Sequence, residues 1–228
     1  MTGLYRGVLA DERNKISLSR LQMILWTVVI LAGFITLALG NLSYCAEKAL
    51  DIGLPQELWM LLGISTASLV GSPLIRSTKT TQEPNPQEME KTLGTMSVNY
   101  KSLKEVAGEL KNEKTPQKVP ENLANTVTNL GQVVVNLNPK AISWADLFRG
   151  EETGNAAQID LGKIQMFFFT LIGVLTYGAA LAVMFANQSK AIYAFPDLSQ
   201  GLVALLGISH AGYMVNKAVP HSETKVKD

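Results

Sequence analysis

Side chains that do chemistry are scarce in this chain. Its 228 residues include one cysteine, Cys45, and two histidines, His210 and His221. A single cysteine excludes an intramolecular disulfide and any multi-cysteine metal site, and two histidines leave little for zinc. No phosphate-cradling glycine loop, no HExxH and no Ser/His/Asp set at usable spacing is present. Excess charge is missing too. The formal net charge is +1, so the balance does not draw the chain to nucleic acid. These absences predict a protein that is not an enzyme and uses no cofactor.

A more local absence says most. All 20 Lys and Arg and all 19 Asp and Glu residues lie outside four windows, 21–39, 58–75, 164–187 and 199–216. A helix that crosses a bilayer needs about 17–25 predominantly apolar residues. The first and third windows meet that directly. The second and fourth carry more Gly, Ser and His, so spanning is expected for them with a re-entrant or buried segment as the alternative. The first window is longer than the roughly 7–15 residues of a signal core, and a second copy of it sits mid-chain. It is therefore read as a retained anchor. No carboxylate lies inside a window, which argues against proton pumping or cation-coupled transport.

The chain repeats itself. At an offset of 143, Ile16, Leu18, Gln22, Met23 and Thr27 match Ile159, Leu161, Gln165, Met166 and Thr170, with Arg20 facing Lys163. At an offset of 144, LWMLLGISTA (58–67) meets LVALLGISHA (202–211). Self-similarity of this kind marks one structural unit used twice. Each unit reads as a helix cap (Ser17, Asp160), a basic residue able to snorkel (Arg20, Lys163), a long helix, a short loop and a second helix. Two crossings per unit predict parallel repeats about an axis along the membrane normal. Counted near the helix ends, twelve Lys and Arg residues flank the termini and the central segment, whereas only Lys48 and Lys190 lie in the two short loops. The positive-inside rule then places both termini and residues 76–158 in the cytoplasm.

Small residues four apart mark helix contacts in lipid, so Gly63, Ala67 and Gly71, with Gly207 and Ala211 in the second copy, are expected to pack each hairpin or to join copies. The intramembrane polar residues are Gln22, Thr27, Gln165, Thr170 and His210. Equal depth below Lys163 and Lys217 predicts that Thr170 and His210 meet. Arg20, Trp144, Lys163 and Lys217 are expected to anchor the interface.

The polar middle, 76–158, is rich in proline and charge but holds two sets at heptad spacing. The first is Met89, Leu93, Met96, Tyr100, Leu103, Ala107 and Leu110; the second is Leu123, Val127, Leu130, Val134 and Leu137. They predict two helices joined near Pro116 and Pro120, with a short strand at Val133–Val135 as the alternative. Trp144, Leu147 and Phe148 then read as an amphipathic segment at the headgroups whose charges, Asp146, Arg149, Glu151 and Glu152, face water.

The pairing of SLSRLQ…WT (17–27) with DLGKIQM (160–166) and LLGISHAGY (205–213) resembles uncharacterised bacterial inner-membrane proteins built as tandem two-helix units around a variable insert. The resemblance covers both hairpins but not 80–140, and implies no catalytic residues. The expected whole is an all-α membrane protein. It comprises an N-terminal arm (1–15), a transmembrane hairpin (16–75), a cytoplasmic segment (76–158), a second hairpin (159–217) and a tail (218–228). Its expected place is the bacterial inner membrane, with the lipid bilayer and a protein partner or homo-oligomer as its contacts. The expected role is a scaffold or anchor presenting the cytoplasmic segment, and the alternative is an oligomeric channel or pore.

Overall fold

The computed structural model describes residues 4–95, 99–100 and 126–223. Helices dominate it: α1 (Leu4–Leu9), α2 (Leu18–Leu42), α3 (Gln56–Thr80), α4 (Pro86–Thr95), α5 (Leu161–Ala186) and α6 (Gln200–Ala218). Three of them, α2, α3 and α5, are long and apolar enough to cross a bilayer, which makes this a membrane-embedded, mostly helical protein. The sheet is small: β1 (Asn99–Tyr100), β2 (Thr126–Leu130) and β3 (Val133–Asn136). The expected all-α class is corrected by that sheet.

The four long helices form a closed ring in which α2 packs on α3, α3 on α6, α6 on α5 and α5 on α2. Asp160 caps α5 through the Lys163 amide at 3.1 Å, while Ser17 sits at the matching place on α2 without a capping bond. The loops at one end are stitched together. Asn41 bonds both the carbonyl and the amide of Ile192 at 2.8 Å, and Gly53 pairs with Tyr193 and Phe195. Between the loops and the bundle middle lies an apolar core containing Trp26, Leu37, Leu58, Leu61, Tyr177, Leu181, Phe195 and Leu206.

The ring order corrects the expected symmetry. An axis along the membrane normal would set α2 diagonally across from α5. Here α2 lies beside α5 and α3 beside α6, so the second hairpin is the first one displaced sideways. Displacement keeps matched residues pointing the same way in space, but the bundle centre lies on opposite sides of the two hairpins. The inward face must therefore turn by about a quarter circle, and one residue of helix is about 100°. Burial records that step. Along α2 the buried series is Ser19, Gln22, Trp26, Ile30, Gly33 and Leu37. Along α5 it is Lys163, Met166, Thr170, Val174, Tyr177 and Leu181, each one residue past the sequence match, with Gly173, the direct match of Ile30, buried as well. Leu58, Leu61, Ser65, Ser68 and Ser72 on α3 likewise become Val203, Leu206, His210, Tyr213 and Lys217 on α6.

Two expectations fall to this rotation. Gln165 is exposed although Gln22 is buried, and Thr27 is exposed although Thr170 is buried. The small-residue ladder does not pack the hairpins internally. Gly63, Ala67 and Ala211 are exposed, Gly71 faces Met214 and Gly207 faces Ile64 across the two hairpins, and the buried face of α3 is its serine row.

In the polar middle the second heptad set is a β-hairpin, not a helix. Val127 to Leu130 pair antiparallel with Asn136 to Val133 around the two-residue turn Gly131–Gln132. Gly131 has φ +57, as a hairpin turn with glycine first requires. That turn, together with the β-branched run Thr126–Thr128 and Val133–Val135, outweighs the period-seven spacing. Val127 and Val134 are buried, Leu130 is half exposed and Leu137 is half-buried. Of the first heptad set, Met89 and Leu93 lie in α4, and Tyr100 lies in β1, which pairs parallel with β2. Met89 packs against the core of Val127, Val134 and Ala156. The side chain of Leu93, and residues Met96, Leu103, Ala107, Leu110 and Leu123, lie outside the described residues.

Candidate functional site: a buried ionic layer at the end of the bundle

At the bundle end away from the stitched loops, charges from five parts of the chain meet. The segment Asp11–Lys15 turns back on itself through an Ala10–Ile16 bridge, with Asn14 at φ 55, a conformation asparagine tolerates. This turn is locked to the β-hairpin by reciprocal side-chain bonds, Asn14 Nδ2 to the Asn136 carbonyl at 2.7 Å and Asn136 Nδ2 to the Asn14 carbonyl at 3.0 Å. The first turn of α5, the last turns of α3 and α6 and the stretch 146–152 complete the layer.

Two carboxylates organise it. Asp11, with 1% of its side chain exposed, takes Arg13 at 2.6 Å and Arg76. Glu151, 13% exposed, takes Arg13 at 3.2 Å, Lys163 at 3.0 Å and Lys217 at 2.6 Å. Glu152 holds Lys79, whose ammonium also donates to the carbonyls of Lys217 and Val219 at 2.6 and 2.8 Å, closing the ends of α3 and α6 together. Burial alone would push both organising carboxyls up. Arg13 and Arg76 nevertheless hold Asp11 below its usual range, and Arg13, Lys163 and Lys217 hold Glu151 well below it. Burial lowers Lys15 to about 8 despite Asp146 at 3.7 Å, while Glu151 and Asp11 keep Arg13 charged against its own burial. Charges this buried persist only when paired.

The layer continues into a polar half of the bundle. Gln22 sits between three helices: its amide donates to Ser65 Oγ at 3.2 Å and to His210 Nε2. His210 Nδ1 lies 2.6 Å from the Leu206 carbonyl, which assigns the proton to Nδ1 and leaves Nε2 to accept from Gln22 in the neutral ring. Nearer the ions, the Lys217 ammonium donates to the Tyr213 hydroxyl at 3.2 Å. Ser19 Oγ, Gln22 Oε1, Trp26 Nε1, Thr170 Oγ1 and Ser209 Oγ are buried without a protein partner, the kind of lining that holds ordered water.

Several expectations are corrected here. His210 bonds Gln22 across the hairpins rather than Thr170, since the rotated faces bring α2, not α5, to its ring nitrogen. Lys163 and Lys217 do not snorkel to headgroups; both are buried against Glu151, and Arg20 donates to the Ala10 carbonyl. The segment 143–158 does not lie on the surface as an amphipathic strip. Leu147 is buried, Phe148 stacks edge-on against Phe167 at 5.1 Å, and Glu151 and Glu152 point inward. Trp144 remains 62% exposed. Glu151 and Glu152, expected to face water, are thus corrected to buried partners of the layer, and Asp11, Arg13, Arg76 and Lys79 were not among the expected site residues. The available signal was the adjacent pair of acidic residues in GEE (150–152), close before a membrane helix.

Among the described residues no group of three or more His, Cys, Asp or Glu side chains is placed to hold a metal ion. Compared with protein families, curated proteins and solved structures, the chain matches none.

Proposed function

We propose that this protein is a multi-pass scaffold of the bacterial inner membrane, whose helices hold the ionic layer and its sheet at the cytoplasmic face for a protein partner or for self-assembly. One observation carries the reading: the network of Asp11, Arg13, Arg76, Glu151, Lys163 and Lys217 fixes the layer to the bundle through buried ion pairs. A simple tether needs no such fixation; a surface presented in one orientation does. In this reading α6 also crosses. Its 19 residues rise about 28 Å, and Ser209, His210, Tyr213 and Lys217 all point into the bundle. The basic flanks set the ionic end inside.

The channel reading has support in the polar half of the bundle. That half ends against Trp26, Leu58, Leu61 and Leu206, which fill the interior beyond it, so one chain offers half a path.

Two measurements test the proposal. In chains carrying Cys45→Ala, cysteines placed at Leu50 in a short loop and at Trp144 in the ionic layer are expected to react with an impermeant maleimide from opposite sides of the membrane; labelling from one side overturns the topology. A photocrosslinker at Leu130, half exposed on the sheet, is expected to give discrete protein adducts in native membranes that vanish with Glu151→Gln. Reproducible conductance in liposomes with no such adduct would favour the channel.

A further inference from the structure

Sideways displacement has a property that rotation lacks: it leaves an unused copy of each joining face. The joint inside the chain is made by a forward face of the first hairpin, bearing Gln22, Trp26 and Leu61, against a rear face of the second, bearing Thr170, Tyr177 and His210. The Trp26 and Tyr177 rings lie 6.2 Å apart and Gln22 bonds His210. The second hairpin must own a forward face as well, and the first hairpin a rear one. Neither is covered.

The repeat retains the joining residues on both. On the uncovered forward face, Leu161 stands for Leu18, Gln165 for Gln22 and Leu205 for Leu61. Exposure rises from 3% to 76% between Leu18 and Leu161 and from 2% to 41% between Leu61 and Leu205. Phe169 replaces Trp26 and keeps an aromatic ring; it and Phe34 on the rear face are half-buried at the edge of the chain's own core, with part of each ring left outside. On the uncovered rear face, Thr27 stands for Thr170, Phe34 for Tyr177 and Thr66 for His210. Gln165 is exposed on α5, and its carboxamide has no hydrogen-bond partner among the described residues. A carboxamide in that position gains most from a partner on another helix, because lipid offers none.

We propose that copies of this chain associate head to tail in the membrane, the forward face of α5 and α6 in one copy seating on the rear face of α2 and α3 in the next. The internal joint is repeated at each contact, with Gln165 meeting Thr66 and Phe169 meeting Phe34. Such a contact joins unlike patches and does not close on itself as a two-fold dimer does, so it builds a row. The inference concerns the lipid-facing helices alone and stands apart from whatever the ionic layer presents.

Disulfide trapping in native membranes tests it, in chains carrying Cys45→Ala. Two differently tagged chains, one with Gln165→Cys and one with Thr66→Cys, are expected to crosslink when coexpressed. Either variant expressed alone is expected not to, and a chain carrying both substitutions is expected to give a ladder of multimers. The intrachain pair Gln22→Cys with His210→Cys, which copies the internal joint, shows that the oxidant reaches this depth. Gln165–Gln165 crosslinks would overturn head-to-tail contact in favour of a two-fold dimer. Absence of the mixed crosslink while the intrachain pair forms would overturn association through these faces. Counting subunits of the unsubstituted protein by single-molecule photobleaching in native membrane patches gives an independent reading: several steps per spot are expected, and single steps alone refute the row.

Discussion

Glu151→Gln probes the ionic layer at its centre. The substitution keeps shape and removes one negative charge that faces three cations, at 3.2 Å from Arg13, 3.0 Å from Lys163 and 2.6 Å from Lys217. Arg13 retains Asp11. Lys163 keeps the Arg149 carbonyl and Lys217 the Tyr213 hydroxyl, but neither keeps a countercharge among these contacts. Breaking a buried pair by removing one member costs about 3–5 kcal/mol, and about 3 kcal/mol is more than a hundredfold in an equilibrium. The layer, not the bundle, bears that cost, because the apolar core of the helices lies elsewhere. Hydrogen exchange by mass spectrometry in nanodiscs should therefore show amides of 143–158 exchanging roughly a hundredfold faster, with α2 and α5 unchanged. Adding Lys217→Met should recover part of the loss, since it removes one stranded cation. Protection at 143–158 that stays within tenfold of the parent would refute the idea that this network holds the layer.

Other outcomes follow from the same geometry. Gln22→Leu leaves His210 Nε2 without its donor and should cost about 1–2 kcal/mol in detergent unfolding, and Gln22→Leu with His210→Leu should cost less than the sum of the singles. Gly131→Ala forces a side chain into φ +57 and against the Thr80 carbonyl. It should destabilise the hairpin by about 1 kcal/mol or more, visible as faster exchange at 126–136. Asp11 and Glu151 titrate below their ordinary values of 3.8 and 4.5. Their contribution is thus complete above about pH 5 and is lost as pH falls through the lowered values. Unfolding midpoints should hold from pH 7 to 5 and drop below pH 4, less steeply in Glu151→Gln.

The membrane helices were legible because lipid imposes a single demand, long runs without charge, and α2, α3 and α5 meet it visibly. The repeat was legible as well, but its geometry was not. Gln22 and Gln165 read alike in the chain, and only the position of the bundle centre decides that one is buried and the other exposed. The second heptad set failed for a local reason: Gly131 supplies a hairpin turn in the middle of a period-seven pattern, and the valine run 133–135 fits a strand as readily as a heptad seam. The ionic layer was hidden because its members are far apart in sequence. Asp11 and Arg76 are 65 residues apart, and nothing in DERNK (11–15) or GEE (150–152) names the other. Charges near a membrane edge read as solvated until a partner is seen.

The N-terminal turn carries a consequence for how the protein is made. Arg13 has Asp11 beside it in the chain, yet its second countercharge, Glu151, comes 138 positions later, and Lys217, which shares that carboxylate, comes later still. Through most of translation Arg13 must therefore wait in water or against headgroups, and the clasp can shut only after the second hairpin has inserted. A chain halted before α6 would leave it open, which gives the cell a chemical difference between finished and unfinished copies.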